Sequence, residues 1–495
     1  MPATSRLRFL LGGLAVICAL AAVFPDIAVL PIRDEIGASR SPSAAVQAAR
    51  YLFVAGMLTF GFLCATWIRF SNFVGAAARR LAALTPPSYW GLVLGLACLA
   101  RLPVALILPR EVLQSDSAWY YAAAVSLSKG DGLSIGGHAT AYRPPIYPAL
   151  LSVAFRLLGP DPSLSWVWGI ASTIAIILAT HAIARRLYGS EVANLAALAA
   201  AVYPALALLT GQTLSDLLFV AELLMLVEFV LVCAPWRPTS ALTVGVLVGI
   251  MTLTRGVALG LFLMGPIVWF VRKKEVRQIV LAGIVLVAGL VGTLAPWLWR
   301  NERVLGVPTL GTNLGLNLYI GNHAGAPGGY VAASAPQVVP QGQSPLNEAD
   351  IDQAYLREAL DFIGSHPAEA ALLIPRKMFH LYTLEVSAAE SLFQSEQFYP
   401  GWEKYGLMGL TQIAYLAIAA LFCLRILDIV SGGRGPRGVQ WIGWFVIAYF
   451  TIVSMVFFGQ DRFRLPILPF MLIEGAVVLH RLAHSSDRSA SAREP

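Results

Sequence analysis

The decisive stretch of this sequence is REVLQSDSAWYYAAAVSLSKGDGLSIGGHATAYRPPIYP, residues 110–148, which lies between two strongly apolar segments. It contains an acid at Asp116, three consecutive aromatic residues from Trp119 to Tyr121, and an arginine, Arg143, in front of two prolines. Four glycines in its middle permit tight turns that bring backbone close to a ligand. A simple connector between membrane helices does not need these residues. The stretch therefore predicts an active-site loop on a membrane surface.

The composition is that of a polytopic membrane protein. Of the 495 residues, 57% are hydrophobic and 13% are charged, whereas an average soluble domain has about 25% charged residues. The net charge of +7 comes from Lys and Arg between apolar segments. This distribution indicates the positive-inside bias of membrane loops and not a nucleic-acid surface. The five cysteines all lie in apolar segments, so neither disulfides nor cysteine metal sites are expected.

Apolar segments of about 20 residues, the length that spans a bilayer, recur along the chain. They lie at residues 7–29, 51–68, 90–109, 165–185, 192–210, 214–233, 239–254, 256–271, 279–299, 405–427, 438–458 and 464–482. We therefore predict an all-α polytopic membrane protein with about 12 transmembrane helices. The first has a basic start like a signal peptide but no convincing cleavage site, so we expect it to be retained. Two further apolar pieces, 146–158 and 368–386, predict re-entrant or interfacial helices.

The long loops divide the chain into predicted parts. These are two additional N-terminal transmembrane helices in 1–89, a transmembrane core in 90–299 with the outer loop 110–164, an extracytoplasmic loop or subdomain in 300–404, C-terminal transmembrane helices in 405–482, and a disordered cytoplasmic tail in 483–495. Basic residues concentrate in alternate short loops and at both ends of the chain. By the positive-inside rule, both termini are cytoplasmic and the two long loops are extracytoplasmic.

Two acids are candidates for catalysis. Asp116 follows the end of a membrane helix, where it can act as a general base, although an Asp there also suits the N-cap of a helix that begins at Ser117. Asp216 stands in GQTLSD at the start of a spanning helix on the same membrane face. The helix dipole alone favours such an acid. Two acids that converge on one cavity are the stronger indication of a functional site.

Four arginines on the predicted outer side form a candidate phosphate site: Arg143, Arg255, Arg462 and Arg464. Arginine offers two parallel hydrogen bonds to a phosphate or carboxylate. The alternative is that these side chains only anchor the protein at the membrane surface. His138 and His323 do not have a metal-ligand spacing with each other, and the Asp and His combinations permit a divalent metal without arguing for one.

Several short motifs, in order, resemble those of the GT-C superfamily of membrane glycosyltransferases. They are QSDSAWYY, the Gly-Asp-Gly and YRPPIYP run, TLSDLLF, LTRG, APWLWRNERVLGVPTLGTNLGLNLYIGNHAGAPGGY and DRFRLPILPF, over roughly residues 90–480. The most similar group is the family-39-like one, which includes protein O-mannosyltransferases and lipid A aminoarabinose transferases. Two departures, Ser117 where a second acid is commoner and His323 where Asn is commoner, put a metal role in doubt.

The resemblance implies transfer of a sugar from a polyprenyl-phosphate carrier to an acceptor at the outer face of the cell (inner) membrane. It implies Asp116 and Asp216 as the catalytic acids and Arg143 as a contact to the donor phosphate. The other predicted substrate-binding residues are Tyr120, Arg255, Asn322, Arg462 and Arg464. The expected partners are the lipid-linked sugar donor, the bilayer and an envelope acceptor (a glycan, a lipid or a protein), with no nucleic acid.

Two other functions compete with this interpretation. A transporter or flippase predicts inverted repeats and charges near the middle of the membrane, whereas the candidate residues here lie at one face. A polymerase or ligase of lipid-linked polysaccharide would share the face and the arginines but would use a diphosphate-linked donor.

Overall fold

The computed structural model describes residues 76–107, 115–233, 237–272, 275–330, 347–390, 402–432 and 435–491, apart from residues 78 and 82. Two predicted spans, 7–29 and 51–68, lie outside the described residues. The described chain is almost wholly helical, which confirms the predicted all-α class. Its only paired strands in these ranges are β1 (Ser134–Ile135) and β2 (His138–Ala139), an antiparallel pair inside the predicted outer loop.

The described residues form seventeen main α-helices. They are α1 (Pro86–Ile107), α2 (Asp116–Lys129), α3 (Ile146–Leu158), α4 (Ser165–Tyr188), α5 (Ser190–Val202), α6 (Pro204–Leu209), α7 (Asp216–Val232), α8 (Pro238–Thr254), α9 (Met264–Val271), α10 (Val276–Leu305), α11 (Leu314–Gly321), α12 (Glu348–Ser365), α13 (Pro367–Tyr382), α14 (Ser387–Glu390), α15 (Trp402–Val430), α16 (Trp441–Val456) and α17 (Leu468–Ser491). Short 3-10 helices lie at Pro162–Leu164, Gly256–Leu263, Gly438–Gln440 and Asp461–Arg464.

Helices fall on all ten predicted spans that the structure describes. Five helical stretches among the described residues are long and apolar enough to cross a membrane: Pro86–Leu106, Pro162–Tyr188, Val276–Leu305, Tyr405–Val430 and Gly438–Val456. Together with several shorter apolar helices, they mark the chain as a membrane protein.

Two spans differ in detail from their prediction, and α17 differs from the predicted tail. The segment 192–210 is two helices, because Pro204 lacks an N–H and holds Tyr203 in an extended conformation, at φ −65° and ψ 120°. The segment 256–271 begins as a 3-10 helix and continues as α9. Helix α17 continues to Ser491, into the segment that we predicted as a disordered tail.

Small residues let the central helices approach closely. A Cβ at Gly245 of α8 would lie 2.0 Å from the carbonyl oxygen of Leu286 in α10, and one at Gly289 would lie 2.6 Å from that of Leu242. A Cβ at Gly169 of α4 would likewise lie 1.8 Å from the carbonyl oxygen of Thr210. Close backbone contacts of this kind are a usual means of packing helices in membranes.

The segment between α2 and α3 is held by residues from much later in the chain. Arg300, near the end of α10, donates from Nη1 to the Thr140 carbonyl and from Nη2 to the Leu133 carbonyl, both at 2.8 Å. Glu348, the first residue of α12, accepts a hydrogen bond from Thr140 Oγ1 at 2.7 Å and another from the Ala141 N–H. These contacts fix the backbone two or three residues before Arg143.

We propose the topology that the loop charges predict, with α12 outside and the start of α10 in the cytoplasm. Gln353 and Arg277 are both exposed and suit cysteine substitution. A membrane-impermeant maleimide should label Gln353→Cys in intact cells, and should label Arg277→Cys only after permeabilisation, since the bilayer separates them. Labelling of Gln353→Cys from the cytoplasmic side alone would reverse the topology.

Candidate active site

Both candidate acids stand at the first residue of a helix. Asp116 begins α2 and Asp216 begins α7, where the partial positive charge of the helix N-terminus favours a carboxylate. Asp116 is therefore not the N-cap of a helix starting at Ser117. The preceding residue, Ser115, has φ 68° and ψ −128°, a conformation that residues other than glycine rarely adopt. Such strain is concentrated at functional sites.

A single guanidinium joins the two acids. Arg462 donates from Nε to Asp216 Oδ1 at 2.9 Å and from Nη2 to Asp216 Oδ2 at 2.6 Å. Its Nη1 donates to Asp116 Oδ2 at 2.9 Å. The two acids, 100 positions apart in sequence, are thus brought into one cluster by a residue near the start of α17.

Two further arginines complete the cluster, one on each acid. Arg143 is paired with Asp116 Oδ1, and Arg255 Nη2 lies 2.7 Å from Asp216 Oδ2. Arg255 Nε also donates to Ser215 Oγ at 3.0 Å, and Ser215 Oγ lies 2.9 Å from the Tyr120 hydroxyl. We call the set of Asp116, Asp216, Arg143, Arg255 and Arg462 the acid–arginine cluster.

The cluster carries a net charge of +1, since it has three guanidinium groups and two carboxylates. Burial raises the pKa of Asp116, but the guanidinium groups of Arg143 and Arg462 together lower it by more, so the pKa of this carboxyl lies below its usual value. Asp116 is hence ionised at neutral pH. Its side chain is 25% exposed, whereas that of Asp216 is 1% exposed. Only Asp116 of the two acids is accessible to a substrate.

One donor of the cluster is unused. Among the described residues, the buried Nε of Arg143 has no hydrogen-bond partner, although its guanidinium lies over the rings of Tyr120 and Tyr142. A buried donor without a partner is costly. An anion bound beside Asp116 would satisfy it.

Arg462 is itself aimed by its neighbour Asp461. The carboxylate of Asp461 accepts from the backbone N–H groups of Val386, Ser387 and Arg462 at 2.6, 2.8 and 2.9 Å. This ties the 3-10 turn Asp461–Arg464 to the start of α14. Asp461 holds the backbone of Arg462, and Asp116 and Asp216 hold its guanidinium, so the direction of this side chain is fixed at both ends.

The structure does not bring Arg464 or Asn322 to the cluster. Arg464 is 1% exposed, donates to the carbonyl of Leu384 at 2.8 Å, and lies 3.6 Å over the ring of Tyr415. In a 3-10 helix of three residues per turn, residues two apart face different directions, so Arg462 and Arg464 diverge. Asn322 is buried and accepts from Lys377 Nζ at 2.8 Å. Both residues join structural elements to each other.

Sequence reasoning missed Ser215, Arg300, Glu348 and Asp461. Arg300 and Asp461 stand inside motifs quoted above, WLWRN and DRFR, and Ser215 inside TLSD, so their neighbourhood was a signal. No motif in the sequence pointed to Glu348, because this residue stands at the start of an ordinary amphipathic helix.

Asp116 and Asp216 do not form a binding site for a divalent metal. Each carboxylate is already bound by two arginines. Within the ranges that the structure describes, the one group of three His or acid side chains close enough to hold an ion is Glu191, His480 and His484, remote from Asp116.

No protein-family model matches the chain, and no curated protein sequence matches it. Solved structures that align with it include ArnT from Cupriavidus metallidurans bound to undecaprenyl phosphate, with 13% identity, a TM-score of 0.41, and coverage of 82% of this chain and 80% of that one. Another is the oligosaccharyltransferase from Archaeoglobus fulgidus in the apo form, with 12% identity, a TM-score of 0.44 and coverage of 82% of this chain. The chain spans about half, 53%, of that enzyme's length.

Proposed function

We propose that this protein is an integral membrane glycosyltransferase that moves a sugar from a polyprenyl-phosphate donor to an envelope acceptor at the extracytoplasmic face. The observation that carries the proposal is the acid–arginine cluster. It lies at the starts of α2 and α7, at the ends of apolar helices, where the phosphate of a membrane lipid would meet it. A transporter or flippase does not need an accessible acid beside a phosphate site.

Asp116 is assigned as the general base. Its carboxylate is ionised and partly exposed, and it begins a helix in the strained loop. In the reaction, it takes the proton from the acceptor hydroxyl while that oxygen forms a bond to the anomeric carbon of the donor sugar. The bond between that carbon and the phosphate oxygen breaks, and polyprenyl phosphate leaves. General-base catalysis of this kind contributes ~10²–10⁴-fold in rate.

The arginines are assigned to the donor phosphate. A sugar linked to a lipid by a single phosphate is a phosphodiester with one negative charge, which equals the net +1 of the cluster. A diphosphate-linked donor carries two charges and is matched less well, which disfavours the polymerase and ligase alternatives. Phosphate binding also draws guanidinium groups away from Asp116, because they gain a second anion to contact, and this makes Asp116 a stronger base.

Asp216 has a different role from Asp116. Its carboxylate is buried and fully occupied by Arg255 and Arg462. We assign it as a positioning residue, which acts through the arginines that it holds, in place of the direct catalytic role predicted from the sequence.

Substitution of Arg143 tests the phosphate site. A charge-assisted contact is worth ~1.5–3 kcal/mol, so Arg143→Ala should raise the KM for a polyprenyl-phosphate sugar roughly tenfold to a hundredfold. Arg143→Lys should recover only part of this loss, because lysine keeps the charge but not the planar pair of donors. The acceptor KM should change less than the donor KM in both variants.

The matched control is Arg357→Ala, since Arg357 is an exposed arginine on α12 away from the cluster. It should keep the wild-type donor KM. An unchanged donor KM in both Arg143 variants would leave these arginines as membrane anchors and remove the phosphate site. Full recovery by lysine would keep the site but show that charge alone, and not the paired donors of arginine, binds the phosphate.

A further inference from the structure

We propose that Glu191, His480 and His484 form a binding site for a divalent transition ion of the Zn²⁺ class, outside the active site. Glu191 lies in the first turn of α5, and the two histidines lie one helical turn apart on α17. One ligand atom from each of the three residues lies within 4.8 Å of the others. Residues four apart on a helix share one face, so both histidines are presented to Glu191.

The spacing of the ligand atoms fits a tetrahedral ion. Glu191 Oε2 lies 3.0 Å from His480 Nδ1 and 3.5 Å from His484 Nε2. Ligands about 2.1 Å from a tetrahedral zinc ion are about 3.4 Å from each other. The side chains therefore need only small adjustments to accept the ion, with at least one coordination position left for water.

A hydrogen bond leaves one ring nitrogen of His484 free to bind a metal. His484 Nδ1 lies 3.0 Å from the His480 carbonyl oxygen, to which only an N–H can donate. That bond leaves Nε2, the atom facing Glu191, with its lone pair free. A second hydrogen bond that fixes the tautomer in this way accompanies most metal-binding histidines.

The side chain of His480 faces the same carboxylate. Its buried Nδ1 lies 3.0 Å from Glu191 Oε2. A divalent ion that takes the place of the proton between these two atoms would keep both of them as ligands.

The ion would clamp α17 to the start of α5. His484 is 16 residues beyond Leu468, or roughly 24 Å along the helix, so the site lies at the opposite end of α17 from Arg462. Two imidazoles and a carboxylate suit Zn²⁺, whereas Mg²⁺ prefers oxygen ligands alone. The clamp is structural, and its role is to hold the last helix of the bundle in register.

Cobalt binding tests the site directly. The full-length protein, purified in detergent without a polyhistidine tag and freed of metal by a chelator, should take up one equivalent of Co²⁺. It should then show the visible absorption of a tetrahedral cobalt site, and Zn²⁺ but not Mg²⁺ should remove that absorption. Zn²⁺ should also raise the thermal unfolding midpoint, because it binds only the folded state.

Variants decide whether these three residues are the ligands. His484→Ala and Glu191→Gln, both at partly exposed side chains that tolerate substitution, should weaken the site at least about 100-fold, the upper end of what loss of a supporting residue costs. His366→Ala, at a single exposed histidine, should bind as the wild type does. No tetrahedral absorption in the wild type, or equal absorption in His484→Ala, would overturn the proposal.

Discussion

The variant Asp116→Asn is expected to insert and fold but to lose sugar transfer by ~10²–10⁴-fold, the usual effect of removing a general base. Asparagine keeps the size of the side chain and accepts hydrogen bonds from arginine, but it cannot take up a proton. The rate should be measured at saturating donor with a polyprenyl-phosphate sugar. Gel filtration and the circular dichroism spectrum should match those of the wild type.

The two kinetic constants separate the chemical role of Asp116 from its structural one. As a base, Asp116 contributes to kcat, and its loss frees Arg143 and Arg462 for the phosphate, so the donor KM should not rise. If Asp116 served only to hold the arginines, the donor KM would rise and kcat would change little. Asp131→Asn, at an exposed acid of the same loop, is the matched control. Wild-type turnover in Asp116→Asn would remove this residue from the mechanism.

The features that the sequence predicted well depend on local patterns. Apolar length places the described spans, and the position of Asp116 and Asp216 at the ends of such segments assigns both acids to one face. The break at Tyr203 was not predicted, although the proline that follows it is a local signal for such a break. The all-α class needed nothing more than segment length and composition.

The features that the sequence did not predict depend on contacts between distant residues. Arg462 lies 346 positions from Asp116, and no local pattern separates it from Arg464, which turns into the core to meet Glu385 and Tyr415. Glu348 contacts Thr140 across 208 positions. The backbone direction of one short 3-10 turn, which Asp461 sets, decides which of the two arginines meets Asp116 and Asp216.

Arg462→Met should be the most damaging arginine substitution, because Arg462 alone contacts both acids. Removing one partner from a buried ion pair typically costs ~3–5 kcal/mol of unfolding free energy. Arg255 still holds Asp216 and Arg143 still holds Asp116, so we expect the lower end, ~3 kcal/mol. The cluster also becomes neutral, with two arginines and two acids. With loss of a phosphate contact and displacement of the base, kcat/KM should fall roughly 100- to 1000-fold.

A second substitution separates charge balance from a direct role. Arg462→Met/Asp216→Asn has two arginines and one acid, so the cluster regains its net charge of +1 and no longer buries an under-compensated carboxylate. The double variant should recover most of the lost stability in denaturant titration and part of the donor affinity, if Asp216 acts only through the arginines. If instead Asp216 takes part in the chemistry, stability would return while kcat stayed at or below that of Arg462→Met. An Arg462→Met variant as stable and as active as the wild type would show that Arg462 does not hold the cluster together.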